Sequence, residues 1–238
     1  MCVKGGNIKD ISVKKGSFIL ALLLLVLGAG VYIYPYITEQ IYRVNITYQS
    51  QYFEKEMENH EEDYRKLYLK LQEENDRLFQ ERQKNLIQAA SYEQSTIELR
   101  QYGLSKEYIG FIEIPAMGIK LPVYLGANEE NMEKGAAHLT ETSYPIGGEN
   151  TNCVIAAHRG YSKAPMFRDI QILKKGDVIF IHNLWERLTY QVKECHVVLP
   201  TDTRWLKIQK GKEILTLLTC HPYRHNYQRY VVVCEKQK

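Results

Sequence analysis

The sequence of 238 residues has no paired cysteine motif, although it contains five cysteines. Because no two of them are separated by two residues, zinc knuckles and thioredoxin-like redox motifs are excluded. The odd, scattered set does not resemble a disulfide framework, so we expect at least one free thiol. The cysteines are Cys2, Cys153, Cys195, Cys220 and Cys234.

The sequence also lacks a strong excess of charge of one sign. Its formal net charge is only +3 at pH 7, and no basic stripe with interleaved aromatic residues runs through it. Surfaces that bind nucleic acids are normally far more basic than this. We therefore expect no nucleic-acid partner.

Charged residues are absent from positions 16–38, where the apolar run SFILALLLLVLGAGVYIYPYI occupies 17–37. About 20 such residues suffice to span a bilayer as a helix. Tyrosines collect at the end of the run, as in the headgroup layer, and lysines precede it, which favours a cytoplasmic N-terminus. We predict a cytoplasmic segment at 1–16, an uncleaved transmembrane anchor at 17–37, and an extracellular remainder. A cleaved signal peptide is the alternative, but the run is long for one.

Proline is absent from residues 38–107, which are rich in Glu, Gln, Lys, Arg and Tyr. In this region the segment DYRKLYLKLQEENDRLF carries apolar residues at helical spacing, which predicts a helical stalk. Two arrangements remain open. One is a short coiled coil, and the other is an amphipathic helix that packs on the following domain or spaces it from the membrane. The repeat is too short to favour the coiled coil.

From residue 108 onward, short β-rich runs alternate with Gly, Pro and Asn. Examples are YIGFIEIP, IKLPVYLG, NCVIAAH, DVIFIHN and EILTLLTC. Many short strands separated by turn signals are typical of a barrel or a sandwich. We predict a mainly β domain at 108–238, with one short helix at 165–173.

Three polar residues stand at predicted strand ends, where loops meet a rigid scaffold. His158 follows CVIAA, Cys220 ends ILTLLT, and Arg229 precedes YVVV. A thiolate can attack a carbonyl, a histidine can protonate the leaving amine, and a guanidinium can hold the oxyanion. The step of nine residues from Cys220 to Arg229 fits two antiparallel strands joined by a loop, which brings both side chains to the same end of a sheet. Taken singly, they could be a core cysteine, a surface histidine and a solvated arginine.

Several motifs resemble the sortase family. TLLTC at 216–220 resembles the sortase TLxTC motif, Arg229 stands at the spacing of the sortase arginine, and VIAAHRG at 154–160 resembles the strand that ends in the sortase histidine. The similarity covers residues 108–235 and is closest to class C, the pilin-polymerising branch. It implies an eight-stranded sortase β-barrel with short helices, preceded by the transmembrane helix and the stalk.

The resemblance also implies an activity. By it, Cys220 attacks the Thr–Gly bond of an LPXTG-like sorting signal, His158 is the general acid and base, and Arg229 positions the substrate and stabilises the oxyanion. An amine then resolves the thioacyl-enzyme; in class C this amine is a pilin lysine. His138 is expected to have a supporting role near the site, and Thr219 to help shape substrate binding. The resemblance implies no metal or other cofactor, and it places the enzyme at the outer face of a Gram-positive membrane.

Two features that are usual in class C sortases are missing from the sequence. No Asp-Pro-aromatic lid motif occurs in residues 80–108, and no second apolar span follows Arg229. We therefore predict an enzyme without the usual anchored lid and with a single N-terminal anchor. These departures leave open a second function, the anchoring of surface or pilus proteins to a peptidoglycan amine. A third interpretation, a non-catalytic membrane scaffold that binds a partner through residues 48–90, would make the complete Cys–His–Arg set coincidental.

Overall fold

The computed structural model describes residues 8–59, 64–86, 93–160 and 164–237, with side chains described from residue 17 onward except at 56–59. The helices are α1 (Ile8–Asn59), α2 (Arg65–Gln80) and α3 (Glu129–Lys134). The strands are β1 (Tyr108–Ile114), β2 (Ile119–Leu125), β3 (Ala136–His138), β4 (Thr151–Ala156), β5 (Val178–Asn183), β6 (Arg187–Val198), β7 (Glu213–His221) and β8 (Gln228–Lys236). Single 3₁₀ turns form at Leu99–Tyr102, Pro115–Met117, Ile170–Ile172 and Arg204–Leu206.

The eight strands close into one barrel in the order β1-β2-β3-β4-β7-β8-β6-β5. Most neighbours are antiparallel, but β2 pairs with β3 and β4 pairs with β7 in parallel. Side chains of alternate residues fill the interior, as Leu215 and Leu217 of β7 and Val232 of β8 do, because successive residues of a strand point to opposite faces. The prediction of a mainly β fold with an eight-stranded barrel is confirmed.

The helices before the barrel pack on it directly. Ile46 and Phe53 of α1 and Leu67 and Leu71 of α2 are buried in the same apolar cluster as the barrel interior. Phe53 makes an edge contact with Phe111 of β1, with ring centroids 5.5 Å apart. Of the two arrangements left open for the stalk, the amphipathic helix packed on the following domain is the one that forms.

The first part of α1 is apolar and exposed. Within this helix the stretch Ser17–Lys55 is long and apolar enough to cross a membrane. None of the residues in its most apolar part is buried by the rest of the described structure. A run of exposed leucines and valines is costly in water, which is consistent with a lipid environment. The same helix continues without interruption into the part that packs on the barrel.

The prediction of one short helix at 165–173 is wrong. Residues 166–169 form turns, and only Ile170–Ile172 is helical, as a 3₁₀ turn. Met166 has a φ of +43°, which a right-handed helix does not allow, while Met166 and Phe167 are fully buried. Burial of these two side chains therefore sets the path of the chain here in place of helix propensity.

The segment between α2 and β1 begins against the barrel. Gln83 donates to the carbonyls of Glu141 and Leu206, at 3.1 and 3.3 Å, and Leu86 is fully buried. Residues 87–92 lie outside the described residues. The absence of an anchored lid, which concerns 80–108, thus stays a prediction.

Candidate active site

The predicted nucleophile and the predicted arginine face each other across two strands. Cys220 near the end of β7 is directly opposed to Arg229 near the start of β8 in an antiparallel ladder. Directly opposed residues have Cβ atoms about 5 Å apart and project from the same face of the sheet. Both side chains are half-buried, so they are open to solvent at this end of the barrel.

His158 reaches the same end because β4 runs parallel to β7. The ladder pairs Ala156 with Leu218, and the Ala157 amide continues it by donating to the Leu218 carbonyl at 3.3 Å. The next residue, His158, therefore lies beside Cys220. Its own carbonyl accepts from the amide of Phe167 at 3.0 Å, which fixes the start of the following loop.

All three residues lie on the outer face of the barrel wall. In β4, Cys153, Ile155 and Ala157 belong to the interior cluster, so the alternate positions Val154 and Ala156 point outward, and His158 continues their row. The outward positions 218 and 220 of β7, and 229 and 231 of β8, extend this face. Leu86 and Leu206 cover the part of this face next to Val154 and Ala156, before His158 along the strand. The three predicted catalytic residues thus share the open end of one shallow surface.

Arg229 has donors to spare. Its Nη1 donates to the carbonyls of Asn226 and Gln228, at 2.7 and 3.0 Å, which folds the side chain toward the β7–β8 loop. Within the described residues, its Nε and Nη2 make no hydrogen bond. A guanidinium held in this way can present a fixed pair of donors to a carboxylate or an oxyanion.

Thr219 does not face the open surface. Its hydroxyl donates to the carbonyl of Ala157 at 2.7 Å, and the side chain is almost completely buried. This bond joins the residue before Cys220 to the residue before His158. The geometry gives Thr219 a positioning contact between the two strands that carry the predicted nucleophile and base.

Arg159 was not among the candidate residues, yet it closes the barrel behind the site. It is only 7% exposed. Its guanidinium donates to Gln171 Oε1, to Nδ1 of His221 at 2.6 Å and to the carbonyl of Cys220 at 3.5 Å, and it lies over the ring of Tyr230. Strand alternation would have found it, because residue 159 continues the inward row 153, 155 and 157.

His221 accepts a hydrogen bond from the Arg159 guanidinium. Partial burial and then the positive charge of Arg159 lower the pKa of His221 below its ordinary value. Because Nδ1 accepts from the guanidinium, the proton of the neutral ring is on Nε2. His221 therefore adds no positive charge beside Cys220 near neutral pH.

His138 is close to the site in the sheet but is enclosed by protein. It pairs with Ile155 of β4, is fully buried, and stacks on Tyr144 with ring centroids 4.8 Å apart. Its Nε2 donates to the carbonyls of Thr142 and Ser143, both at 3.1 Å. Burial lowers the pKa of His138 to about 4 in spite of these bonds, so the ring is neutral at ordinary pH.

The other described cysteines differ from Cys220 in their surroundings. Cys153 and Cys234 are buried, and burial raises the pKa of each thiol far above its ordinary value. Cys195 is half-buried and donates to the carbonyl of Leu173 at 3.8 Å. Burial also raises the pKa of Cys195. These three side chains therefore remain protonated thiols, which are poor nucleophiles.

The described part of the chain contains no group of three or more His, Cys, Asp or Glu side chains that could hold a metal ion. A thiol, an imidazole and a guanidinium share one open face, which suits acyl transfer through a thioester.

Comparison with known proteins gives consistent results. Residues 112–237 match the family model described as the sortase domain. Sortase A of Bacillus anthracis is 35% identical over 128 residues, which are 53% of this chain and 59% of that protein. Sortase D of Bacillus subtilis is 32% identical over 116 residues, 49% of this chain and 56% of that protein. The chain thus spans somewhat more than half the length of these curated relatives.

Solved structures extend the similarity beyond the barrel. A mutant of sortase C-1 from Streptococcus pneumoniae is 34% identical, with a TM-score of 0.65, and the match covers 80% of this chain and 97% of that one. Sortase C1 of Streptococcus agalactiae, in complex with MTSET, is 30% identical, with a TM-score of 0.67 and coverage of 78% and 96%. Because the barrel alone is little more than half of this chain, these matches include part of the preceding helices.

Proposed function

The chain belongs to the sortase family, with class C sortases among its structural neighbours, and we propose that it is a cysteine transpeptidase. One observation carries the proposal. Cys220 and Arg229 are directly opposed across β7 and β8, and the parallel ladder of β4 and β7 brings His158 beside them on the same outer face. A barrel wall that merely used these residues for stability would have no reason to expose all three at one end.

The first half of the reaction forms a thioester. The thiol proton of Cys220 passes to His158, and the thiolate attacks the threonine carbonyl carbon of an LPXTG-like sorting signal. The resulting oxyanion is held by the free donors of Arg229. As the C–N bond breaks, His158 returns the proton to the leaving glycine nitrogen, which leaves a thioacyl group on Cys220.

The second half transfers the acyl group to an amine. The amine attacks the thioester carbonyl carbon, gives a proton to His158, and forms an amide as the C–S bond breaks. The departing Cys220 sulfur takes up the proton, which restores the starting site. Thr219 and Arg159 would keep the three strand ends in register through both halves, since each bonds across neighbouring elements.

We propose a pilin lysine as the acceptor amine. The likeness to class C structures supports this choice, among them a Streptococcus pneumoniae sortase C whose report concerns pilin substrate specificity. The alternative acceptor is a peptidoglycan amine, which would make the protein an anchoring enzyme. The two alternatives share every step up to the thioacyl group and differ only in the amine that enters.

We further propose that the enzyme is anchored by α1, with the N-terminus in the cytoplasm and the barrel at the outer face of a Gram-positive membrane. The exposed apolar stretch of this helix supports the anchor, and the lysines before it support the orientation. We also retain the proposal that no Asp-Pro-aromatic lid closes the site. His138, neutral and enclosed, would support the fold of β3 and β4 beside the site.

Cleavage of a fluorogenic LPXTG-type peptide by the full chain in detergent micelles tests the proposal. Cys220→Ala should reduce the rate by at least about 10⁴-fold, because the nucleophile is lost. The matched control is Cys195→Ala, which removes a half-buried thiol away from the open face and should retain activity. Cleavage by Cys220→Ala at the wild-type rate would show that the chain does not act through this thiol.

The acceptor is identified in a second assay. The thioacyl-enzyme is offered a lysine-containing pilin-type peptide or a peptidoglycan-type amine, and product masses show which one is joined. Ligation to the lysine peptide supports pilus assembly, and ligation only to the peptidoglycan-type amine supports wall anchoring. If Cys220→Ala cells retain the phenotype of the wild type while deletion of 48–90 removes it, the scaffold interpretation replaces both.

A further inference from the structure

The three catalytic candidates define one end of the barrel, which we term the catalytic end. It is formed by the last residues of β1, β4, β6 and β7 and by the first residues of β2, β5 and β8. The loop after His158, the β7–β8 loop and the turn at Pro115–Gly118 all belong to it. The opposite end carries the start of β1 and the end of β2.

Helix α1 fixes which end of the barrel is nearer the membrane. Directly after the apolar run, Glu39 lies 3.9 Å from Arg168, and Arg43 donates to the carbonyl of Gly118 at 3.1 Å. Farther along the helix, Phe53 contacts Tyr108 at the start of β1, with ring centroids 5.8 Å apart. The helix therefore leaves the apolar run at the catalytic end and climbs toward the opposite end.

The separation along this helix is small. At a rise of about 1.5 Å per residue, Glu39 stands about 3 Å beyond the end of the apolar run at residue 37, and Arg43 about 9 Å beyond it. The headgroup layer is about 5–7 Å thick on each side of the hydrocarbon. With the hydrocarbon edge at residue 37, Arg168, which lies 3.9 Å from Glu39, would stand at the depth of the lipid headgroups.

The β7–β8 loop adjoins this contact. A Cβ built on Gly160 would stand 3.3 Å from the ring of Tyr223 and 3.4 Å from the side chain of Arg168, so the two side chains flank the same glycine. Tyr223 is 44% exposed and Tyr227 is 59% exposed. Arg224 is exposed as well, with its guanidinium 5.4 Å from the ring centroid of Tyr223.

The chemistry of this loop matches that of a membrane interface. Tyrosine rings favour the headgroup layer, and arginines bind anionic headgroups. A loop of the same composition in open water would need no lipid, so the composition alone decides nothing. What distinguishes this loop is its position. Only Gly160 separates Tyr223 from Arg168, and Arg168 lies beside Glu39, where α1 leaves its apolar run.

We propose that the catalytic end of the barrel rests on the membrane surface, with Tyr223, Arg224 and Tyr227 binding anionic phospholipid headgroups. The inference rests on the anchoring of α1 put forward under the proposed function. The edge of the barrel surface that carries Cys220 then lies next to the outer surface of the bilayer. Substrates that are themselves held in the membrane reach the thiol without leaving the surface, while the opposite end of the barrel points away.

Spin-label depth measurements on the full chain in lipid nanodiscs test this placement. In a background with Cys2→Ser, Cys195→Ser and Cys220→Ala, single labels are attached through Tyr227→Cys, Ser105→Cys or Leu24→Cys. Ser105 is exposed near the start of β1, at the opposite end, and Leu24 lies in the apolar run. Accessibility to oxygen and to a water-soluble nickel complex gives the depth of each label. Nanodiscs contain phosphatidylcholine alone or mixed with phosphatidylglycerol.

The expected result is a graded set of depths. The label at 24 should lie in the hydrocarbon, that at 227 in the headgroup layer, and that at 105 in water. A label at 227 with the same accessibility as that at 105, while the label at 24 stays deep, overturns the inference and leaves the anchor intact. A label at 24 that is open to the nickel complex would instead overturn the anchor on which the inference rests.

Charge gives a second readout. Phosphatidylglycerol should shift the label at 227 deeper, and Arg224→Glu should cancel this shift because it replaces a cation by an anion at the contact. The matched control is Lys212→Glu, an exposed cation before β7 at the opposite end, which should keep the shift. An equal shift in the Arg224→Glu protein and in the unmodified one would contradict headgroup binding by this loop.

Discussion

The buried histidine His138 allows a prediction with a magnitude. Its pKa is lowered to about 4, chiefly because its ring is fully buried, against an ordinary value near 6.5. Between about pH 6.5 and pH 4, the unfolded chain therefore binds a proton at His138 and the folded chain does not. Its contribution to stability is lost as the pH falls from about 6.5 toward 4, since the unfolded state binds more protons.

The size of the effect follows from the shift. Integrating the linkage relation for these two values gives a loss of about 2 kcal/mol in the free energy of unfolding between pH 7 and pH 5. The full loss, reached at lower pH, is about 3 kcal/mol. His138→Gln should abolish this part of the acid sensitivity, because a glutamine amide can donate to the Thr142 and Ser143 carbonyls but does not titrate.

Urea unfolding of the full chain in detergent micelles at several pH values, followed by the fluorescence of Trp185 and Trp205, provides the measurement. Wild type should lose about 2 kcal/mol more than His138→Gln between pH 7 and pH 5. His225→Gln, which removes an exposed loop histidine, serves as the control and should behave as wild type. Equal pH dependence of wild type and His138→Gln would refute the enclosed, neutral His138. It would restore this residue as a candidate for proton transfer.

Two further substitutions test the contacts behind the site. Arg159→Lys keeps the charge but cannot reach Gln171, His221 and the Cys220 carbonyl together, so kcat for peptide cleavage should fall about tenfold or more with little change in KM. Arg168→Lys, at a half-buried arginine, should leave kcat unchanged. An unaltered kcat in Arg159→Lys would contradict the positioning role. Thr219→Val removes a buried hydrogen bond and should lower the free energy of unfolding by about 1–2 kcal/mol, whereas Thr219→Ser, which keeps the hydroxyl, should retain most of it. Equal stability of the valine and serine variants in urea unfolding would show that the bond to Ala157 contributes nothing.

The parts of the fold that could be predicted from sequence depend on local patterns. Strand alternation and turn residues are local, so the β domain was recognisable, and the spacing of Cys220 and Arg229 correctly implied that they lie at the same end of a sheet. The path of 165–173 depends instead on the burial of Met166 and Phe167, which is a tertiary effect. The complete burial of His138 likewise depends on residues brought to it by the barrel, and no spacing in the sequence reveals it.

The three consecutive residues His158, Arg159 and Gly160 show how one short segment meets three separate requirements. Strand alternation sends His158 to the outer face, beside Cys220, and sends Arg159 inward, where its guanidinium donates to the Cys220 carbonyl. Gly160 has a φ of +84°, which a residue with a side chain rarely adopts, and a Cβ there would press on Tyr223 and Arg168. The backbone at Gly160, two residues after His158, therefore has a conformation that favours glycine. Under the proposed function and the proposed membrane placement, Gly160 serves both parts of the molecule, since it directly follows the segment with His158 and adjoins Arg168, the residue that lies 3.9 Å from Glu39 of α1.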